Sequence, residues 1–446
     1  MWTTRLRCYG AGACLALAAA VTNCALAGNA QFSVLYDFEP AALNTYASPK
    51  GSQPDTRPVL GVGNSIYGMT YDGGVNGNGV VYRFDRASGQ YSVLHTFSAL
   101  NANGNNWDGA YPGVALTRGP EGVFYGMATS GGANGNGTIF SITAAGEYTV
   151  LHTFSAANAD GLNIDGAYPL RTVVIGDDGD LYGTTRVGGL NSCGTSPAPN
   201  GCGVTWKIDR WGKFTVLHQF TAAEGHAASL LQSHDGWFYG CAVWPASGSG
   251  LPSGLLYRME PSGRNFEVLY QFSQANSSDQ NSDGADCYEP LVETSPGVFY
   301  GTASNAGPGA SGVVFRYSLS KPGTVDVVHA FSALDANGFN TDGSDPYARL
   351  TPGPDGALYS TTSYGGSAGN GVVYRIGRGG SFELLHTFTA VNATSGANKD
   401  GQTPDFGVIL DYDGCNLIGM ADYGGLGSAS GGPGYSGGTL YQIRLE

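Results

Sequence analysis

An acidic residue recurs seven times along the chain, each time shortly before an apolar segment. If the seven segments form a ring, these carboxylates are expected near one mouth of a central channel, where they could hold a hard cation or bind sugar hydroxyls. A pair of them could also act as a glycosidase pair. The competing and preferred interpretation is a turn, in which each carboxylate accepts hydrogen bonds from nearby backbone N–H groups. The residues are Asp55, Asp108, Asp165, Glu224, Asp283, Asp342 and Asp400.

Three loops that end on these acids are near copies of one another. Residues 101–108, 158–165 and 335–342 carry oxygen-bearing side chains at positions 1, 3, 6 and 8. Such side chains suit Ca²⁺, but their spacing is not that of an EF-hand. Repeated turn chemistry is the preferred explanation, so we expect no required cofactor and keep Ca²⁺ as the candidate ion.

Aromatic residues in the same loops are candidates for ligand contact. Amphipathic rings could stack on a sugar or anchor a protein partner. They could equally buttress their own loops. The predicted ligand-binding residues are therefore Trp107, Tyr111, Tyr168 and Trp244 together with the acids Asp108, Asp165, Asp283, Asp342 and Asp400.

Residue types that suggest catalysis have structural explanations. Five histidines occupy one repeat position, and equivalent positions in different repeats lie far apart, so we expect packing rather than a metal cluster. Gly434–Gly438 matches G-x-S-x-G and Gly307–Gly312 matches G-x-G-x-x-G, but both precede strands, whereas those motifs need a strand-to-helix turn. No catalytic residue is assigned. The histidines are His95, His152, His218, His329 and His386.

The cysteines indicate an oxidising compartment. Cys193 and Cys202 share one loop rich in Gly, Pro and Asn, and they are expected to form a disulfide. A zinc site is the weaker alternative, because no second pair or nearby histidine completes a ligand set. Among Cys241, Cys287 and Cys415 at least one thiol is expected to stay unpaired.

Seven repeats set the elements that must position these residues. Each repeat carries a segment such as Phe124-Tyr125-Gly126, and the segments lie 57 to 61 residues apart. A run of β-branched and aromatic residues follows each one, for example from Gly137 to Phe140, and indicates a strand. A further strand pattern also occurs seven times but is displaced, so that the chain opens with it at residues 33–38 and ends without it.

Four strands per repeat predict an all-β fold, a seven-bladed β-propeller of four-stranded blades. The first strand is expected to pair with the last blade and close the ring, which leaves no terminal edge exposed. An open solenoid would instead need atypical capping repeats. The long loops, which join the second strand to the third and one blade to the next, then share one face, and function is expected there.

The repeats resemble those of secreted bacterial proteins that carry the GloVer tandem repeat. The closest unit combines Leu181-Tyr-Gly-Thr-Thr185, Gly188-Gly189, Cys202 and Asp165-Gly166-Ala-Tyr-Pro169. The resemblance covers nearly the whole mature chain. It implies a secreted or surface repeat protein, often with a C-terminal anchor, and no established chemistry. Since this chain ends on the repeat itself, no anchor is expected.

Composition and charge narrow the functional classes. Residues 1–27 combine Arg5, Arg7, an apolar run and Ala25-Leu26-Ala27, as a cleaved signal peptide does, which leaves residues 28–446 as one propeller domain. The formal net charge of −14 disfavours nucleic acid. We therefore expect a secreted or periplasmic, monomeric binding or scaffold protein that recognises a glycan or an extracellular protein through the long-loop face, without membrane insertion. The alternative is a polysaccharide hydrolase or lyase that uses carboxylates of the same face, such as Asp108 and Asp165.

Overall fold

The computed structural model describes residues 30–42, 45–113, 115–193, 200–244, 253–426 and 437–445. Within these ranges seven antiparallel sheets form the blades of a β-propeller, and there is no α-helix. The predicted fold class is confirmed. The predicted signal peptide, residues 1–27, lies outside the described residues. The helical segments of the described ranges include none that is long and apolar enough to cross a membrane.

In every blade the first-named strand is the innermost, at the channel, and the last-named strand is the outermost. Blades 1 to 3 consist of Val59–Leu60, Ile66–Thr70, Val80–Asp85 and Gln90–Thr96; Thr117–Arg118, Val123–Ala128, Thr138–Thr143 and Tyr148–Thr153; Ala167–Ile175, Leu181–Val187, Val204–Ile208 and Phe214–Gln219. Blades 4 and 5 consist of His226–Ala227 with Leu231–Gln232, Phe238–Val243, Leu255–Met259 and Glu267–Gln271; Val292–Ser295, Val298–Ala303, Val313–Ser318 and Val325–Ala330. Blades 6 and 7 consist of Thr351–Pro352, Leu358–Thr362, Val372–Ile376 and Phe382–Thr387; Val408–Leu410, Asn416–Ala421, Thr439–Arg444 and Gln31–Asp37.

Smaller elements complete the fold. Ser48–Ser52 pairs with Asp72–Gly74 in a two-stranded ribbon. Single 3-10 turns at Val62–Asn64 and Pro120–Gly122 join the inner and second strands of blades 1 and 2. These joining turns are short, so one face of the ring is plain and the other carries the long loops.

The ring closes between its two ends, as predicted. Gln31–Asp37 runs antiparallel to Thr439–Arg444, with Gln31 opposite Arg444 and Val34 opposite Tyr441. The first strand is thus the outer strand of blade 7, and the Phe32 ring packs 5.2 Å from that of Tyr441. Without this pairing, backbone N–H and C=O groups along one edge of Thr439–Arg444 would lack partners, and such an edge can pair with another chain. The first strand covers that edge.

The glycine of the Tyr-Gly repeat is required by an aromatic ring in the neighbouring strand. A Cβ built on Gly183 would lie 2.4 Å from Trp206, and one on Gly126 would lie 2.5 Å from Phe140. Gly68, Gly301 and Gly419 lie equally close to Tyr82, Phe315 and Tyr441. The side-chain-free position lets a large ring lie flat against the second strand, so the blade core stays close-packed.

Two disulfides link described residues, one within a loop and one between neighbouring blades. Cys193–Cys202 is formed, as predicted, within one loop of blade 3. Cys241 of blade 4 pairs with Cys287 at the start of blade 5 and so ties neighbouring blades together. Cys415 is also disulfide-bonded, and no cysteine in the described residues is free. The prediction of an unpaired thiol is therefore wrong. Disulfides fit an oxidising, extracellular environment.

Candidate functional site

Six of the seven recurring acids form one hydrogen-bonded cluster per blade junction, which we call the clamp. The carboxylate accepts from the ring of the outer strand, with histidine Nε2 to oxygen distances of 2.9–3.2 Å. It also accepts the backbone N–H and the hydroxyl of the Ser or Thr that follows the outer strand. The pairs are His95 with Asp108, His152 with Asp165, His218 with Glu224, Tyr270 with Asp283, His329 with Asp342 and His386 with Asp400.

The clamps lie between outer strands and not at the channel mouth, which corrects the expected placement. The Asp108 carbonyl accepts the hydroxyls of Thr138 and Tyr148 from the next blade. The five histidines stack on aromatic rings of the next blade at centroid distances of 3.8–4.2 Å. The loop reaches the channel three residues after the acid, so the carboxylate itself remains at the blade junction. The histidines pack as predicted.

The pKa shifts of two clamp carboxyls follow from the hydrogen bonds that their oxygens accept. Burial alone would raise the pKa of Asp165, but hydrogen bonds from His152 and Ser155 lower it below its ordinary value. The pKa of Asp342 is lowered in the same way by His329 and Ser332, against the effect of burial. Asp108 is fully buried. These contacts favour the structural interpretation of the acids, because their oxygens already have donors.

Asp55 does not belong to this set, and Lys50 holds its place at the junction of blades 7 and 1. Gly51 follows Lys50 as Gly109 follows Asp108, and both glycines have a positive φ. The Lys50 carbonyl accepts the Tyr91 hydroxyl just as the Asp108 carbonyl accepts that of Tyr148. Lys50, five residues before Asp55, is therefore the first-repeat equivalent of Asp108, and the prediction that Asp55 occupies this position is wrong.

The channel mouth on the long-loop face is formed by a repeated backbone feature. At one repeat position six non-glycine residues have φ between 53° and 62°. Their N–H groups bond to the preceding blade, for example Tyr111 to the Asn78 carbonyl and Asp345 to that of Ser311. A left-handed conformation is costly for such residues and persists where the surrounding structure holds it, as these bonds to the preceding blade do. The residues are Gln53, Tyr111, Tyr168, Asp286, Asp345 and Thr403.

Tyrosines surround this mouth. The rings of Tyr71 and Tyr111 stack 5.2 Å apart. Burial raises the pKa of Tyr71 to about 12, with further contributions from Asp55, Asp72, Tyr111 and Tyr168. Tyr364 is 50% exposed and Tyr168 40% exposed. Their rings are therefore available to a ligand.

Carboxylates that sequence reasoning did not single out as a group also meet at the mouth. One oxygen each of Asp55, Asp405 and Asp422 lies within 4.8 Å of the others. Burial raises the pKa of all three, and the charge of Asp405 adds to the effect on Asp422. Burial also raises the pKa of Asp345 to about 7 and of Asp72 to about 6. The available signal was an acid directly after the repeat proline, in Pro54-Asp55 and Pro404-Asp405, where other repeats have Gly113 or Leu170.

Below the acids the channel narrows to a basic layer. Arg171 bonds to Glu289 at 2.8 Å and to the Tyr347 hydroxyl, and its guanidinium lies 4.6 Å from the Tyr347 ring centroid. Arg57 bonds to Thr351 Oγ1 at 2.6 Å, and burial followed by the nearby Arg349 lowers its pKa to about 9. A cavity of about 520 Å³ is lined by residues of the inner strands together with Arg57, Arg118 and Arg349.

The remaining predicted site residues lie apart from the mouth. Trp244 is buried and donates its Nε1–H to the Ala222 carbonyl, so it buttresses its own loop. Trp107 is 59% exposed but packs edge-on against His95 and Tyr148 at a blade junction. Of the predicted aromatic residues, the structure brings Tyr111 and Tyr168 together at the channel.

The three copied loops use their oxygens internally. Asn101 Oδ1 accepts the N–H groups of Asn103 and Asn105, and Asn106 Oδ1 accepts those of Gly109 and Gly132. Asn158 and Asp335 make the same local bonds in the other two copies. These contacts favour the turn interpretation over a cation site in the loops.

Comparisons with known proteins agree with the repeat and the fold. A family model, the Gloeobacter/Verrucomicrobia repeat, matches residues 20–197 and 196–341, which is more than half of the chain. No curated protein sequence shows significant similarity.

Solved structures share the architecture at low sequence identity. An oligogalacturonate lyase in complex with manganese is 12% identical, with a TM-score of 0.53 over 94% of this chain and 97% of that one. A Mycobacterium tuberculosis puromycin-hydrolyzing peptidase is also 12% identical, with a TM-score of 0.52 over 86% of this chain. The match covers 52% of the peptidase. At this identity the likeness extends to the fold alone.

Proposed function

The chain belongs to the Gloeobacter/Verrucomicrobia repeat family, and we propose that it acts as an exported, monomeric binding protein that recognises a glycan at the channel mouth of the long-loop face. The observation that carries the proposal is the tyrosine rim, the set of tyrosines beside the mouth carboxyls, defined as Tyr71, Tyr111, Tyr168, Tyr364 and Tyr423. Flat rings beside carboxylates offer the stacking surface and the hydrogen-bond acceptors that a sugar needs.

The rim is rigid, which favours binding. The backbone N–H groups of Tyr111 and Tyr168 donate hydrogen bonds to the Asn78 and Asn136 carbonyls of the preceding blade. A preorganised aromatic side chain loses little conformational freedom when a ligand binds. The formal net charge of −14 leaves neutral and cation-bridged glycans as the suitable class.

A glycan array and a panel of extracellular polymers test the proposal. Tyr168→Asn removes an exposed ring while keeping a residue type that accepts a positive φ, and Tyr364→Ala removes the second. We expect each substitution to weaken retention of the bound glycan at least about tenfold, which corresponds to ~1.4 kcal/mol.

Trp211→Ala is the matched control, because Trp211 is 81% exposed on a turn of the plain face. Equal affinity of the wild type and both tyrosine variants would contradict the proposal. If the protein retained an extracellular protein instead of a glycan, and both tyrosine variants lost that retention, the tyrosine rim would still be the binding surface but its ligand would be a protein.

Catalysis on a polysaccharide is the second candidate function. The observation that favours it is the raised pKa of the mouth carboxyls, since a protonated carboxyl near neutral pH can act as a general acid. An enzyme would shorten a polysaccharide that it retains. Loss of the shortened product in Asp405→Asn, together with its presence in Asp165→Asn, would support catalysis at the mouth. Unchanged polymer after prolonged incubation would leave binding as the function.

A further inference from the structure

The three carboxylates Asp55, Asp405 and Asp422, here called the mouth triad, come together where the ring closes. Asp55 and Asp405 follow the repeat prolines of blades 1 and 7, and Asp422 directly follows the second strand of blade 7. The Asp422 N–H donates to the Thr403 carbonyl, which fixes Asp422 against the start of the inner strand. Closure of the propeller therefore assembles the triad from the two ends of the chain.

The triad is buried without compensation among the described residues. Asp422 is only 4% exposed, and its Oδ1 has no hydrogen-bond partner there. Oδ1 of Asp405 is also buried and without a partner in the same ranges. The carboxyl of Asp55 lies within 4.8 Å of that of Asp422 and brings it no positive charge. A buried carboxylate without a donor costs several kcal/mol, so this arrangement calls for a positive charge.

The neighbouring protein groups do not supply that charge. The guanidinium that acts on Asp55 and Asp405 belongs to Arg171, which is bonded to Glu289 and Tyr347. Ser363 beside Asp405 opposes the rise in the pKa of that carboxyl that burial causes, but its hydroxyl carries no charge. The other groups around the triad are Asp72, Asp345, Tyr71, Tyr364 and Tyr423, which are acidic or neutral.

We propose that the mouth triad binds a hard divalent cation, with Ca²⁺ as the best match. The donors are carboxylate oxygens without nitrogen or sulfur, which selects Ca²⁺, Mg²⁺ or Mn²⁺ over Zn²⁺. Ligand oxygens at the usual Ca²⁺ distance of about 2.4 Å lie up to ~5 Å apart, and the triad oxygens fall within 4.8 Å. The site needs no glycan, so it goes beyond the proposed function.

Binding of the metal alone tests the inference. The full mature chain is freed of metal with a chelator and titrated with CaCl₂ by calorimetry at pH 8, where the triad is ionised most fully. We expect one ion per chain and a higher melting temperature, because the ion binds the folded state. Tb³⁺, which replaces Ca²⁺, should show luminescence excited through the adjacent tyrosines.

Asp422→Asn keeps the shape of the side chain and removes its charge, and we expect it to weaken Ca²⁺ binding about 100-fold or more. Asp326 is an exposed carboxylate that pairs with Lys321 on a blade edge. Asp326→Asn is therefore the matched control, and it should bind Ca²⁺ normally. Because the Asn variant relieves a buried charge, its metal-free form should fold at least as well as the wild type.

Absence of heat, of a melting shift and of Tb³⁺ luminescence at millimolar Ca²⁺, Mg²⁺ and Mn²⁺ would overturn the proposal. Equal Ca²⁺ affinity in Asp422→Asn would also overturn it and locate the ion elsewhere. Failure of the glycan experiment leaves these results unaffected, because no glycan is present in them.

Discussion

The clamps and the mouth triad are both built from acidic residues with little exposure, yet they differ in whether their carboxylate oxygens find donors. The Asp108 carboxylate accepts bonds from His95 and Ser98 and is repeated at five other junctions. The triad occurs at one junction, and among the described residues Oδ1 of Asp405 and Oδ1 of Asp422 have no hydrogen-bond partner. Repetition with full hydrogen bonding marks structural residues, whereas a departure from the repeat that leaves buried charge marks a candidate site.

The largest expected effect comes from breaking a clamp. Asp108→Ala leaves the Ser98 N–H and hydroxyl and the His95 ring without their acceptor, so the free energy of unfolding should fall by about 3 kcal/mol or more. Chemical denaturation measures this loss. Ca²⁺ affinity should not change, and Asp326→Ala should leave the stability unchanged. A fully stable Asp108→Ala protein would contradict the structural role of the clamps.

The two regions should also respond to pH with opposite signs. In the clamps the pKa of Asp165 and Asp342 is lowered on folding, so their stabilisation is present above the unfolded pKa and is lost as the pH falls through the folded pKa. At the mouth the pKa of Asp345 rises to about 7, so the folded state holds more protons between about pH 4 and 7 and stability falls as the pH rises through that range.

For the metal-free protein we expect a loss on the order of 2 kcal/mol between pH 5 and pH 8 from the mouth carboxyls. Unfolding curves across this range measure it, and Asp422→Asn should flatten the slope. Added Ca²⁺ should flatten it as well. A pH profile that rises steadily to pH 8 in chelator would contradict the uncompensated charge at the mouth.

The smallest effect is expected within the clamp series. Tyr270→Phe removes the one ring donor of the six clamps that is not a histidine, at 2.5 Å from Asp283 Oδ2, and leaves the two bonds from Ser273. The loss should be about 1 kcal/mol, since one hydrogen bond is removed. A loss as large as that of Asp108→Ala would show that the ring donor, rather than the Ser contacts, carries the clamp.

The fold could be predicted in detail because its signals are local and repeated. The spacing of Tyr125 and its equivalents gave the blades, and the displaced pattern near Phe38 gave the closure. The site could be predicted only in part. Tyr111 and Tyr168 reach the mouth, but Trp107 and Trp244 pack at blade junctions or within loops, because the direction of a loop side chain depends on neighbouring blades.

The sequence alone determined the number of blades, the closing strand, the pairing of Cys193 with Cys202 and the face that carries long loops, since periodicity and turn residues act over short distances. The tertiary structure decided that Asp108 and its equivalents are saturated, that Lys50 replaces an acid at the closing junction, and that Asp55 meets Asp405 and Asp422. Asp55 lies near one end of the chain and Asp405 and Asp422 lie near the other, so only ring closure brings these carboxylates together. His95 and Asp108 are near in sequence, but the packing of one outer strand against the next blade sets the geometry of their clamp.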